Sequence, residues 1–117
     1  MRSVISWAVV VMFFASAASA AASDVTVTGE LVEMSCASTK GAEGKGPGHA
    51  SCALGCARQG EPVGVLTGDA IYEITGDFTS GNNAKLLDFL AKMVTVTGQL
   101  TERDGKKLLN LRTIRAN

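Results

Sequence analysis

The chain is poor in aromatic residues, proline and histidine, and it has no excess of charge of either sign. Only 5% of its 117 residues are aromatic, two are prolines and one is a histidine, and 11 basic side chains face 11 acidic ones. Without a cationic excess, the chain lacks the electrostatic footprint of a nucleic-acid binder. With so few aromatic rings, it also lacks a platform on which single-stranded bases could stack. We therefore predict no nucleic-acid partner.

Common cofactor and catalytic motifs are also missing. The glycine-rich run Gly41–Gly48 contains Lys45, but no Ser or Thr follows this lysine as a phosphate loop requires. There is no C-x-x-C-H motif for covalent haem, and no pattern typical of an oxyanion hole. We therefore predict no nucleotide cofactor, no covalent haem and no catalytic residue. Enzymatic activity stays open, with no residue set that favours it.

The longest apolar run lies at the N-terminus. Arg2 precedes an apolar stretch, Val4–Ala15, and small residues with A-x-A cleavage sites follow it. This order is typical of a secretory signal peptide, and the stretch is shorter than the ~20 residues that span a bilayer. We predict a signal peptide over residues 1–20, cleaved near Ala20, that contacts the membrane only during export. The mature protein is then periplasmic or secreted.

Residues 21–117 are predicted to form one domain with five β-strands. The predicted strands are Asp24–Met34, Val63–Leu66, Ala70–Ile74, Val94–Glu102 and Lys107–Ile114. Gly68-Asp69 and Asp104-Gly105 are favoured turn pairs, and each joins two of these strands as a hairpin. Between the third and fourth strands, leucines at helical spacing predict a helix over Ala84–Lys92, capped by Asn82 or Asn83.

Two of the predicted strands are nearly identical in sequence. Val25–Glu33 and Val94–Glu102 agree at seven of nine positions, including V-T-V-T-G in each. We interpret the glycines as corners of a small barrel, where a side chain would clash. Five strands with a helix between the third and fourth is the order of the OB-fold, in which the first and fourth strands are neighbours. We therefore predict a mainly β, five-stranded OB-like Greek-key barrel; an open α+β sheet is the alternative.

All three cysteines and the single histidine lie in one insert, residues 37–60, or at its border. Cys36 ends the predicted first strand, Ser38–Gly48 is predicted to be an irregular loop, and His49–Gln59 a short helix. The spacing is C-x12-H-x2-C-x3-C, which places His49, Cys52 and Cys56 within about 60° of one another around the helix. A mobile loop could bring Cys36 to this face.

Three hypotheses account for this pattern. In the first, Cys36, His49, Cys52 and Cys56 bind one metal ion, because Cys₃His is a ligand set that Zn²⁺ takes as a closed tetrahedron. Cu(I) suits the same thiolates, with Met34 nearby. We favour this hypothesis, which makes a metal ion, Zn²⁺ or Cu⁺, the predicted partner.

The second hypothesis is a structural disulfide, since exported cysteines usually pair. Cys36 would pair with Cys52 or Cys56 and leave one thiol over, in a module that contacts another envelope protein. The third hypothesis is a redox or nucleophilic thiol, because His49 lies near Cys52 and a helix N-terminus lowers a thiol pKa. The two last cysteines are, however, spaced C-x3-C rather than C-x2-C.

The chain resembles a family of small exported bacterial OB-fold-like proteins of uncharacterised function. Their pattern is G-x-[LV]-V-[DE]-x-[SA]-C, a glycine-rich stretch, H-x-x-C-A-x-x-C-A-x-x-G-x-P-x-G-[VL]-L, and a late V-x-V-T-G. The matching segments here are Gly29–Cys36, His49–Leu66 and Val94–Gly98. The resemblance implies the OB-like fold and the importance of the four Cys and His residues. The chain departs from the family at Ala37-Ser38, where an aromatic residue and leucine are common.

Overall fold

Five strands form a closed barrel in the order β1-β2-β3-β5-β4. The structure is a computed structural model that describes residues 23–117, so the predicted signal peptide lies outside the described residues. The strands are β1 Ser23–Glu33, β2 Val63–Leu66, β3 Ile71–Thr75, β4 Met93–Arg103 and β5 Lys106–Ala116. β3 and β5 pair in parallel, whereas the other neighbours are antiparallel. The predicted OB-like barrel is confirmed.

The two V-T-V-T-G segments are paired with each other. Val25 lies opposite Gly98, Val27 opposite Val96, and Gly29 opposite Val94. The two segments run antiparallel, so each threonine also faces a threonine: Thr28 and Thr95 share a hydrogen bond of 3.0 Å between their hydroxyls. The predicted neighbourhood of the first and fourth strands is therefore confirmed.

Both glycines of these segments lie where the backbones of neighbouring strands come close. A Cβ at Gly29 would overlap the carbonyl of Leu66, and a Cβ at Gly98 would overlap the carbonyl of Asn110. Directly after Gly29, β1 begins to pair with β2, at Glu30, while its pairing with β4 ends. The β4–β5 register shifts between Thr97 and Gly98. The glycines therefore permit the bends that close the barrel.

The barrel is filled by aliphatic side chains from all five strands. The buried cluster contains Val27, Leu31, Ala57, Val63, Val65, Ile74, Leu86, Leu90, Val94, Val96, Leu109 and Leu111. Alternate residues of β4 supply Val94 and Val96, as the period of a half-buried strand requires. None of the described helices is long and apolar enough to cross a membrane.

The predicted helical segment between β3 and β4 is confirmed, although it is not one regular helix over Ala84–Lys92. The segment contains 3₁₀ turns at Asp77–Thr79 and Leu87–Phe89 and a short turn, α3, at Ser80–Asn83, in which Gly81 and Asn82 have left-handed backbone angles. Asn82, Asn83 and Ala91 have positive φ, which interrupts a regular helix. The amide of Ala91 donates to the carbonyl of Leu31 instead, which ties the segment to β1.

The segment between β1 and β2, residues 34–62, is called the cysteine segment below. It contains helix α1 at Met34–Lys40, a 3₁₀ turn at Gly41–Gly44, a second at Pro47–His49, and helix α2 at Ala50–Ala57. The prediction that Ser38–Gly48 is an irregular loop is therefore wrong. Cys36 also lies inside α1 rather than at the end of the first strand.

Candidate metal centre

Glu33, the last residue of β1, fixes the start of α1. Its carboxylate accepts hydrogen bonds from the backbone amides of Ser35, at 3.0 Å, and Cys36, at 2.8 Å. The hydroxyl of Ser35 donates to the same carboxylate. These bonds satisfy amides that a helix N-terminus otherwise leaves unpaired. They hold Cys36 against the barrel, where its side chain is buried.

The glycine-rich turns bring the chain back over α1. A Cβ at Gly44 would overlap the carbonyl of Cys36, so only glycine fits this crossing. Two residues later, the amide of Gly46 donates to the carboxylate of Glu30 in β1 at 2.8 Å. The amide of His49 donates in turn to the carbonyl of Gly46 at 3.0 Å. These contacts place His49 beside Cys36.

Helix α2 rests on the barrel through small residues. Ala53 and Ala57 are buried one turn apart, whereas Cys52 is exposed and Cys56 is half-buried. The side-chain amide of Asn83 donates to the carbonyl of Ala57 at 2.9 Å, and also to that of Glu61 at 3.0 Å. The end of α2 is thereby held against the segment that precedes β4.

The predicted ligands fall into two overlapping groups. One ligand atom each from Cys36, His49 and Cys52 lies within 4.8 Å of the others. A carboxylate oxygen of Glu33 and the Sγ atoms of Cys36 and Cys56 form a second group with the same limit. Cys36 belongs to both groups. The structure therefore brings three of the four sequence-predicted ligands together, and it places Cys56 in the adjoining group with Glu33.

His49 carries a buried nitrogen without a protein partner. The residue is 8% exposed, and its Nε2 atom has no hydrogen-bond partner among the residues that the structure describes. Leaving a buried polar atom unpaired costs roughly 1–3 kcal/mol. A neutral imidazole nitrogen without a proton offers a lone pair, which is what a metal ion binds. The imidazole of His49 thus combines a buried, unpaired nitrogen with a ring atom near two thiols, which is chemically suited to metal binding.

The charges around Cys36 oppose its ionisation in the metal-free protein. The hydrogen bond to the Glu33 carboxylate, with burial and the negative charge of Glu33, raises the pKa of the Cys36 thiol to about 12. Burial by itself would raise the pKa of Glu33, but the hydrogen bonds from Cys36 and Ser35 outweigh it, so this pKa lies below its usual value. A bound cation would reverse this balance for the thiol.

The exposed Cys52 has a basic neighbour. The ammonium of Lys40, in the last turn of α1, lies 3.9 Å from its Sγ atom. Each of the three cysteines, all of which lie in the described part of the chain, is a free thiol. Met34 lies elsewhere: its Sδ atom is near Gly64, and its side chain lines a cleft with Ile71.

Sequence reasoning missed Glu33 and Lys40. Glu33 falls on the apolar face of the first strand, where a carboxylate breaks the alternation, and glutamate is not among the preferred N-cap residues. The pattern therefore gave no signal that its carboxylate would turn back to cap a helix. Lys40 stands in a polar run that was expected to be a loop. The useful sequence signal for Glu33 was its position three residues before Cys36, since a capping side chain accepts from an amide two or three residues later.

Comparison of the chain with protein-family models, with curated proteins and with solved structures finds no match. The family resemblance described above therefore stays a prediction.

Proposed function

We propose that the protein binds a soft or borderline metal ion, Zn²⁺ or Cu(I), in the cysteine segment. Cys36, His49 and Cys52 are the ligands around which this site is built. The sequence hypothesis takes Cys56 as the fourth ligand of a Cys₃His set, but its Sγ atom belongs to the second group, with Glu33 and Cys36, so the proposal does not depend on it. The apolar run at the N-terminus supports a periplasmic or secreted location.

The orphaned Nε2 atom of His49 is the observation that carries this proposal. A histidine buried for structural reasons usually finds a hydrogen-bond partner for each nitrogen. Here Nε2 is buried without one among the described residues, and two thiols lie in the same group of candidate ligands as the imidazole. A metal ion would satisfy this nitrogen and both sulfurs together. Thiolate and imidazole are the donors that Zn²⁺ and Cu(I) take in proteins.

The proposal is tested by native mass spectrometry of the full chain, purified without chelators or oxidants. We expect a metal adduct that is lost on denaturation, with all thiols intact. Zn²⁺ and Cu(I) differ in mass, so the same spectrum names the ion.

His49→Ala removes the ligand on which the argument depends. Removing a residue that hydrogen-bonds to a metal ligand typically lowers metal affinity about 10–100-fold, so loss of the ligand itself should lower it at least as much. Ser51→Ala is the matched control, because Ser51 is exposed in the same segment and lies outside both ligand groups. Equal affinity in the His49→Ala variant and the control would remove His49 from the site. A metal-free protein whose mass is lower by the hydrogens of one disulfide would overturn the proposal and favour the disulfide hypothesis.

A further inference from the structure

Cys36 belongs to both ligand groups, an arrangement that can hold two metal ions rather than one. Its sulfur lies within 4.8 Å of candidate ligand atoms of His49 and Cys52, and also of those of Glu33 and Cys56. A thiolate sulfur has several lone pairs, so it can bind two metal ions at once. Apart from Cys36, the two groups have no residue in common, so two ions would compete for no ligand other than this shared sulfur.

We propose that Cys36 bridges two Zn²⁺ ions, one bound also by His49 and Cys52 and the other by Glu33 and Cys56. This inference rests on the proposed function, since it assumes that the first group binds metal. Each ion then has three protein ligands, which leaves one tetrahedral position for water or another exogenous ligand.

The carboxylate of Glu33 is already held in a fixed orientation beside Cys36. Its side chain is fully buried, and its carboxylate is oriented by the amides of Ser35 and Cys36. Carboxylates that bind metals are commonly held by hydrogen bonds in this way. Oε1 accepts from both the amide and the hydroxyl of Ser35, whereas Oε2 accepts from the amide of Cys36 and keeps a lone pair for a metal ion once the Cys36 thiol is deprotonated.

The second group also selects the kind of ion. Cu(I) favours thiolate and thioether donors, whereas Zn²⁺ also binds carboxylate oxygens. Glu33 therefore favours Zn²⁺ for the site that it shares with Cys56. The thioether of Met34, which would suit Cu(I), lies near Gly64 instead.

The number of bound ions tests the inference. The full chain, reduced with a phosphine and freed of metal, is titrated with Zn²⁺ alone and followed by native mass spectrometry. Two ions bound at saturation support the bridged centre. One ion bound keeps the proposed function and overturns the bridge. No bound Zn²⁺ overturns the bridge, and no bound ion in a parallel Cu(I) titration as well overturns the proposed function.

Single substitutions separate the two ions. Cys56→Ser, at a half-buried position, should leave one ion with unchanged affinity, whereas Cys36→Ser should weaken both ions at least about tenfold because the shared ligand is lost. Glu33→Gln should also lose the second ion, whereas Ser38→Ala, an exposed change outside both groups, should still bind two ions. If Cys56→Ser weakened the only bound ion, Cys56 would be a ligand of a single site and the inference would fail. Circular dichroism of each variant establishes that the barrel is folded.

Discussion

The barrel and the cysteine segment are stabilised by different physical means. The barrel has continuous strand pairing and an aliphatic core to which all five strands contribute. The cysteine segment buries few apolar side chains, mainly Cys36, Ala53 and Ala57, and it is held by polar contacts from Glu33, Glu30 and Asn83. Apolar burial supplies most folding free energy, whereas regions with few such contacts open locally at lower cost. The barrel should therefore fold without a metal ion.

The helices of the cysteine segment are too short to be stable alone. α1 has 7 residues and α2 has 8, below the roughly 12–15 residues at which isolated helices become marginally stable. A metal ion bound between them would supply part of the missing stability, since a ligand that binds only the ordered form stabilises it. The protein thus combines a barrel that is stabilised by apolar contacts with a cysteine segment whose order is coupled to metal binding.

The largest expected effect is in the barrel. Leu109 in β5 is fully buried, so Leu109→Ala should lower the free energy of unfolding by about 2–5 kcal/mol, in urea titrations with a chelator present. Met93→Ala is the control, because Met93 is 52% exposed and should change stability by less than about 0.5 kcal/mol. If chelation alone lowered stability as much as Leu109→Ala does, the barrel would not be independent of the ion.

Next in size is the effect of a methyl group where two strands come close. Gly98→Ala places a Cβ against the carbonyl of Asn110, and we expect a loss of about 1–3 kcal/mol in the same titration. Gly68→Ala is the control, since nothing lies within 4 Å of a Cβ at that position. Equal stability of the two variants would show that the barrel bend adapts easily.

A glycine-to-alanine change in the cysteine segment should weaken Zn²⁺ binding more than it lowers the stability of the barrel. Gly44→Ala places a Cβ against the carbonyl of Cys36, which should displace the chain that leads to His49. We expect about a tenfold weaker affinity for Zn²⁺, which equals about 1.4 kcal/mol, with a nearly unchanged unfolding transition of the metal-free protein. Gly48→Ala, in open space, should bind Zn²⁺ normally. Weaker binding by both variants would indicate that the turn needs glycine throughout.

The smallest expected effect is a local loosening in acid. The pKa of Glu33 lies below its ordinary value of 4.5, so its hydrogen bonds stabilise α1 above that pH and are lost as the pH falls through the lower, folded-state pKa. In the metal-free protein, hydrogen exchange of the Cys36 amide should therefore accelerate in this acid range beyond its intrinsic pH dependence. Glu33→Gln should remove this dependence. An amide that stays equally protected would show that the cap does not depend on ionisation.

The regularity of each region decided how much could be predicted from sequence. Strand alternation and the repeated V-T-V-T-G predicted the barrel and the pairing of its first and fourth strands, because period-2 patterning is local information. The stripe of leucines near Leu86 predicted burial and a helical segment correctly, but not that this segment is broken into short turns. Leu86 and Leu90 are buried, yet the positive φ of Asn83 and Ala91 comes from contacts with α2 and β1 that no local pattern contains.

The candidate site was predictable in its residue types and only partly in its geometry. The sequence spacing predicted that His49 lies near Cys52 and that the loop brings Cys36 to them. All three residues belong to the first ligand group. The assignment of Cys56 beside Glu33 depends on α1, whose cap is a glutamate that sequence rules do not favour. Side-chain pairs set by tertiary contacts of this kind require the structure.

The pairing of V-T-V-T-G with itself has a consequence for association between molecules. Because the segments of β1 and β4 are identical and antiparallel, each one is complementary to the same segment in another copy of the chain. Such self-complementary strands pair between chains when their edges are exposed. The β4 segment lies between β1 and β5, whereas Val25–Gly29 of β1 pairs only with β4, because β2 pairs with β1 from Glu30 onward. The sheet thus protects the β4 segment against such pairing on both edges and the β1 segment on one.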